Sequence, residues 1–211
     1  MDSSRPADKP SNWNVPNVLT VIRILGVPAF GWLLLHDGGE SVGYRLAAWA
    51  AFVVLMATDK VDGDIARKHN LVTDFGKMAD PIADKALTGM AFVGLAIIFT
   101  DESWGPIFWV AVIAMLVREW GITFMRMVMV RRGFVMPAGR GGKLKTVLQS
   151  VAIAGYCLPF EIWGGAVPTG LLWITHVLMA AALALALVTG VQYVVDARRL
   201  AAQRPADDVV R

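Results

Sequence analysis

Cysteine is nearly absent: the 211 residues contain one, Cys157, so no disulfide can form within the chain. It lies in an apolar run with no metal-ligand pattern beside it, which predicts a packing role. Charge is scarce too. Only 18% of residues are Asp, Glu, Lys or Arg, against about 25% in an average soluble domain, while 56% are hydrophobic and the mean hydropathy is +0.54. The polar stretches are too short to build a second core, so one membrane domain is expected. It should cover residues 18–196, between a cytoplasmic or interfacial segment at 1–17 and a cytoplasmic tail at 197–211. The first dozen residues lack the basic start, short apolar core and cleavage site of a secretory signal, so the N-terminus is expected to stay uncleaved. The net charge of +3 is small, and the basic residues gather beside apolar runs, which gives no reason to invoke nucleic acid.

What the chain has in quantity is long apolar runs. Six can be drawn, from Val18 to Leu35, Tyr44 to Val61, Ala79 to Phe99, Pro106 to Val130, Leu144 to Trp163 and Pro168 to Val194. Each is near the ~20 residues a helix needs to cross a bilayer. The expected fold is therefore an all-α integral membrane protein of six transmembrane helices, with both termini on one side. That side receives Arg67, Lys68, Lys77, Arg131, Arg132, Arg140, Lys143, Lys145, Arg198 and Arg199, whereas the opposite loops hold only Arg45 among several acids. By the positive-inside rule the termini are cytoplasmic. The last run is Ala/Leu-rich and reads as a plain packing helix; Trp13, with Val15 and Val18, reads as an interfacial anchor.

The informative stretch runs from Thr58 to Lys85, TDKVDGDIARKHNLVTDFGKMADPIADK. Asp59 and Asp62 are three apart and Asp80 and Asp84 four apart, so each pair projects from one helix face. A short polar turn lets the two helices run antiparallel with the pairs facing. Four converging carboxylates would repel and raise one another's pKa values unless a cation joined them. Mg²⁺ or Mn²⁺, hard ions that prefer carboxylate oxygen, resolve that conflict. Gly63 and Gly76 leave room for a bulky ligand, Ala66 keeps that face shallow, and Arg67 offers a fork suited to phosphate. Taken alone, such acids fit a catalytic metal site or a structural or transport site.

The full spacing, Asp59-x-x-Asp62-Gly63-x-x-Ala66-Arg67, eight residues, then Gly76-x-x-x-Asp80-x-x-x-Asp84, resembles the complete signature of the CDP-alcohol phosphotransferase family. The resemblance implies six spans with cytoplasmic termini, residence in a bacterial cytoplasmic membrane with the active site facing the cytoplasm, and a homodimer. It implies a two-metal centre of Mg²⁺ or Mn²⁺ held by Asp59, Asp62, Asp80 and Asp84, with Asp84 also deprotonating the acceptor hydroxyl. CDP-diacylglycerol would be bound by Asp62, Gly63, Ala66, Arg67, Gly76 and Asp80, the small residues lining the cytidine pocket.

Other segments bear on the acceptor. Asn14-Val15-Pro16-Asn17-x-Leu19-Thr20-x-x-Arg23 begins the first span, Arg118-Glu119 and Arg126 lie in the fourth, and Gly141-Gly142-Lys143-Leu144-Lys145-Thr146 opens the fifth. Intramembrane cations are expensive without an anionic partner, so Arg118, Arg126, Lys143 and Lys145 describe a small anionic pocket, with Thr20 and Arg23 as further candidates for the acceptor phosphate. A plainer reading pairs Arg118 with Glu119 or a motif aspartate, treats the lysines as positive-inside residues, and leaves Thr20 and Arg23 to start a helix and reach the interface. These segments resemble those of bacterial phosphatidylglycerophosphate synthases of the actinobacterial type, which implies sn-glycerol 3-phosphate as acceptor. Cardiolipin synthases of the same fold, acting on phosphatidylglycerol, and inositol-phosphate transferases are the alternatives. A transporter should spread polar positions across several spans, and a structural membrane protein has no use for four clustered acids.

Overall fold

The computed structural model describes residues 14–68, 73–131, 134 and 140–202; side chains at 60, 62, 64–67, 74, 75, 77, 78, 140, 161, 201 and 202 lie outside the described set. The regular elements among the described residues are all helical: α1 Val15–Leu35, α2 Val42–Lys68, α3 Asp74–Ile98, α4 Gly105–Arg131, α5 Arg140–Cys157 and α6 Val167–Ala202, with single 3-10 turns at His36–Gly39 and Phe160–Ile162. Two compact units result, one of residues 1–98 with 157–159, the other of 99–156 with 160–211.

In the first unit, α1 starts where Asn14 accepts a hydrogen bond from the Asn17 amide at 3.0 Å, with Pro16 in the opening turn. Its buried positions, Asn17, Thr20, Arg23, Val27, Phe30 and Leu34, recur every three or four residues and so lie on one face. That face is polar in its first half and apolar in its second. Pro28, which has no amide to donate, sits on the exposed side. The helix stops at a left-handed turn: Asp37, Gly38 and Gly39 have φ of 53°, 66° and 82°. At Gly39 a Cβ would also lie 2.7 Å from Ile98, so the turn needs glycine for conformation and for space.

Side-chain pairs fix the helix directions. Arg23 meets Asp59, Gly26 meets Leu55 and Phe30 meets Phe52 with ring centroids 5.7 Å apart, so α1 and α2 are antiparallel. Thr20 meets Asp80, Gly31 meets Met90 and Leu34 meets Gly94, so α1 and α3 are parallel. Glycine at each of these crossings lets helices approach closely, the route to association where lipid offers no hydrophobic drive. Arg45, buried, donates to the Leu158 carbonyl at 2.9 Å.

In the second unit, the Arg118 side chain reaches Ala186 and Thr189 while Arg126 reaches Tyr193, so α4 and α6 run parallel. Gly141 lies against Thr189 and Gly155 against Thr175, which makes α5 antiparallel to α6. Phe99, Trp104, Phe108, Tyr156 and His176 form a ring cluster, pinned by a 2.6 Å hydrogen bond between the Tyr156 hydroxyl and His176 Nδ1. Cys157, which belongs to the first unit, is buried.

Among the described residues, five helical segments are long and apolar enough to cross a membrane: Val15–Gly39, Val42–Asp59, Ala79–Ile98, Gly105–Arg131 and Val167–Leu200, and less than half of each apolar window is buried. Outward-facing Ile107, Val117 and Phe124 illustrate apolar surface suited to lipid. The fifth expected run differs. Its helix begins earlier and ends at Cys157 rather than Trp163, because Leu158 precedes Pro159 and is pushed out of the helical region. The first ten residues of α5 also include Arg140, Lys143, Lys145 and Gln149, which takes it below the apolarity of the other five. The expected anchor residue Trp13 lies outside the described residues, and Val15 and Val18 belong to α1 itself.

Candidate active site

The motif acids fall at the C-terminal end of α2 and the N-terminal end of α3. Asp59, Asp80 and Asp84 are each part-exposed; the side chains of Asp62, Ala66 and Arg67 lie outside the described residues, although their backbones continue α2. Asp80 and Asp84 stand one turn apart on α3, with Pro81 between them on the exposed side. Since α2 is antiparallel and α3 parallel to α1, the two acid-bearing ends meet the same end of α1.

That end of α1 is its polar half. Arg23, fully buried, places Nη1 2.5 Å from Asp59 Oδ1. One turn back, the Thr20 hydroxyl lies 2.5 Å from Asp80 Oδ1 and 3.1 Å from the Pro16 carbonyl. Its single proton serves one acceptor at a time, and the charged, nearer carboxylate is the stronger. Asn17, one further turn back, donates from Nδ2 to Thr73 Oγ1 at 2.9 Å. Thr73 in turn caps α3 by accepting from the Gly76 amide at 3.0 Å. Thr20 and Arg23 are three residues apart, about 4.5 Å along the axis, so Asp59 and Asp80 are drawn to one short stretch of α1 from opposite helices.

Among the described residues no group of three or more His, Cys, Asp or Glu is assembled for a metal; the fourth motif acid, Asp62, is not among them. The donors that are described nonetheless fit a hard divalent cation. They are carboxylate oxygens on two helix ends, and a Cβ added at Gly76 would lie 3.0 Å from Asn17 Oδ1 and 3.8 Å from Asp80 Oδ2, so glycine keeps that side of the carboxylate open.

The expected acceptor residues in the second unit are held quite differently. Arg118 donates from Nε to the Ala186 carbonyl at 3.0 Å and from Nη2 to Thr189 Oγ1 at 2.7 Å, its stem resting 3.4 Å from where a Gly190 Cβ would be. Arg126 bonds the Tyr193 hydroxyl and lies over the same ring, 4.8 Å from its centroid, while its buried Nε finds no partner among the described residues. Lys145 is buried and ion-paired with Glu119; Lys143 is exposed. Arg118 therefore does not form the pairing with Glu119 that the sequence allowed; Lys145 does. The last helix is also more than packing, since Thr189 and Tyr193 hold both arginines. Spacing could have shown this, because the two lie four apart on one face of α6, but in an Ala/Leu-rich run they read as incidental. Asn17 and Thr73 were similarly missed, although Asn17, Thr20 and Arg23 already form a helical i, i+3, i+6 stripe in the sequence.

A separate cavity of about 600 Å³ in the second unit is lined chiefly by Trp104, Phe108, Tyr156, Trp173, His176 and Met179. None of the motif acids or expected acceptor cations lines it.

The motif acids thus lie on paired helix ends, braced by the polar face of a third helix. Residues 13–192 match the sequence model of the CDP-alcohol phosphatidyltransferase family, and the chain belongs to that family. Among its relatives, a probable phosphatidylglycerophosphate synthase of Mycobacterium tuberculosis is 41% identical over 187 residues, covering 88% of this chain and 82% of the relative. The CDP-diacylglycerol–glycerol-3-phosphate 3-phosphatidyltransferase of Bacillus subtilis is 37% identical over 162 residues, 71% and 81% of the two chains. Its namesake from Rickettsia typhi is 38% identical over 141 residues, 67% and 74%.

Proposed function

We propose that this chain transfers the phosphatidyl group of CDP-diacylglycerol to sn-glycerol 3-phosphate, giving phosphatidylglycerol phosphate and CMP. The observation that carries the reading is the family signature on the α2 and α3 ends, braced by Thr20 and Arg23. The names of the relatives supply the acceptor.

Asp59, Asp62, Asp80 and Asp84 would hold two Mg²⁺ or Mn²⁺ ions. When bound, these neutralise the diphosphate and ease departure of CMP. The protein's own groups do the rest. Asp84 takes the proton of the acceptor hydroxyl as its oxygen bonds to the lipid-side phosphorus and the bond from that phosphorus to the CMP oxygen breaks. Gly63, Ala66 and Gly76 leave space for cytidine, and Arg67 stays with the phosphates. Arg118, Arg126, Lys143 and Lys145 receive the acceptor phosphate. For the two arginines the support is their described partners, which are neutral and leave the guanidinium charge uncompensated.

The topology we favour has six spans, α5 being the sixth at 18 residues, or about 27 Å, with both termini and the active site on the cytoplasmic side of a bacterial inner membrane. The basic residues flanking the spans support that orientation. A homodimer through membrane helices completes the proposal. Product analysis tests it: purified chain in detergent with CDP-diacylglycerol, Mg²⁺ and either glycerol 3-phosphate, phosphatidylglycerol or inositol 1-phosphate. Phosphatidylglycerol phosphate from the first alone is expected; cardiolipin from the second alone would replace the acceptor while keeping the reaction.

A further inference from the structure

Thr20 and Arg23 were expected to touch the acceptor phosphate, yet each has a motif carboxylate among its described partners. We propose that the buried polar face of α1 positions the metal-binding acids, with Arg23 and Thr20 setting the orientation of Asp59 and Asp80 for a divalent cation. The inference rests on the reading of those acids as metal ligands and deepens it.

Three contacts carry it. Arg23 is fully buried and reaches α2 through the Asp59 carboxylate at 2.5 Å. Thr20 is buried and reaches Asp80 on α3 at 2.5 Å. Asn17 reaches Thr73, which caps the start of the helix that carries Asp80 and Asp84. A carboxylate has two oxygens and about four lone-pair sites. One oxygen of Asp59 and one of Asp80 thus take a fixed protein donor while the group retains capacity for a cation. Donors of this kind lock the rotamer of a ligand that would otherwise swing at a part-exposed helix end, and loss of such a partner typically weakens metal binding about 10–100-fold. α1 is well suited to the task, because it packs along both acid-bearing helices, antiparallel to one and parallel to the other.

The rival role, contact with the acceptor phosphate, predicts a different signature, so the two separate in one set of measurements on the full-length protein in detergent. Mn²⁺ is titrated without substrates, following bound Mn²⁺ by electron paramagnetic resonance and by its effect on the melting temperature. The KM for glycerol 3-phosphate is then measured at saturating Mn²⁺. The variants are Thr20→Val, which keeps shape and removes the donor, Arg23→Lys and Arg23→Met, with Asp80→Asn as control. Mn²⁺ affinity should fall by about tenfold or more in Arg23→Met and less in Arg23→Lys and Thr20→Val, with turnover partly rescued by excess Mn²⁺ and KM for glycerol 3-phosphate nearly unchanged. Unchanged or tighter Mn²⁺ binding together with a raised KM would overturn the inference and return both residues to the acceptor. If Arg23→Met does not fold, Thr20→Val decides by the same criteria. Wild-type protein that binds no Mn²⁺, or Asp80→Asn that binds it as well as wild type, would instead overturn the underlying metal reading.

Discussion

Arg23 in the first unit and Arg118 and Arg126 in the second are held in opposite ways. In the first, Arg23 is fully buried against a carboxylate, so its charge is matched inside the protein. In the second, Arg118 and Arg126 are oriented by a carbonyl, two hydroxyls and a ring face, all neutral. Hydrogen bonds to neutral acceptors fix geometry without cancelling charge. A cation in a membrane segment is costly unless it meets an anion, so the first arrangement is complete by itself and the second calls for an anionic ligand. On the proposed reading, the difference separates a residue that shapes the site from residues that receive substrate, a distinction that counting positive charges in the sequence does not make.

The sharpest way to break that comparison is at the acids. Asp84→Asn keeps the shape of the side chain and removes the base, and turnover should fall about 10²–10⁴-fold with the melting temperature preserved; full activity would exclude Asp84 from the chemistry. Next, Arg118→Ala should raise the KM for glycerol 3-phosphate by about 10–100-fold, the worth of a charged hydrogen bond of ~1.5–3 kcal/mol, while leaving Mn²⁺ binding intact. An unchanged KM would mean that Arg118 only ties α4 to α6. Glu119→Gln strips the charge partner from buried Lys145; removing one member of a buried pair costs up to ~3–5 kcal/mol, and the part-exposed carboxylate reduces that, so a drop of several degrees in melting temperature is expected. No drop would show the pair to be energetically idle. The smallest effect should come from Tyr193→Phe, which keeps the ring over Arg126 and removes the hydroxyl. A rise of roughly fivefold in KM corresponds to about 1 kcal/mol, and a much larger one would give the hydroxyl a direct part in binding.

How much of this the sequence disclosed depended on the range of the interaction. Helix order, the α2–α3 acid pairs and the exposed apolar faces follow from periodicity and local spacing, and all six helices lie near the apolar runs that predict them. The end of α5 was misplaced because apolar residues continue to Trp163, whereas Pro159 ends the helix earlier. Partner choice was less visible. Glu119 lies next to Arg118 in sequence, but neighbours along a helix point to different sides, and it is Lys145 on α5 that Glu119 meets. Likewise Thr20 and Arg23 were recognisable as candidate site residues, but that they face Asp80 and Asp59, 60 and 36 residues away, depends on how α1 packs.

The most direct test is CMP release by the purified chain in detergent, with CDP-diacylglycerol, glycerol 3-phosphate and Mg²⁺, beside the same reaction in EDTA and with Asp84→Asn. Release should require both acceptor and metal, stop in EDTA, return on adding Mg²⁺ or Mn²⁺, and be nearly lost in the variant. Release that persists in EDTA, or that Asp84→Asn supports at the wild-type rate, would contradict the proposed function.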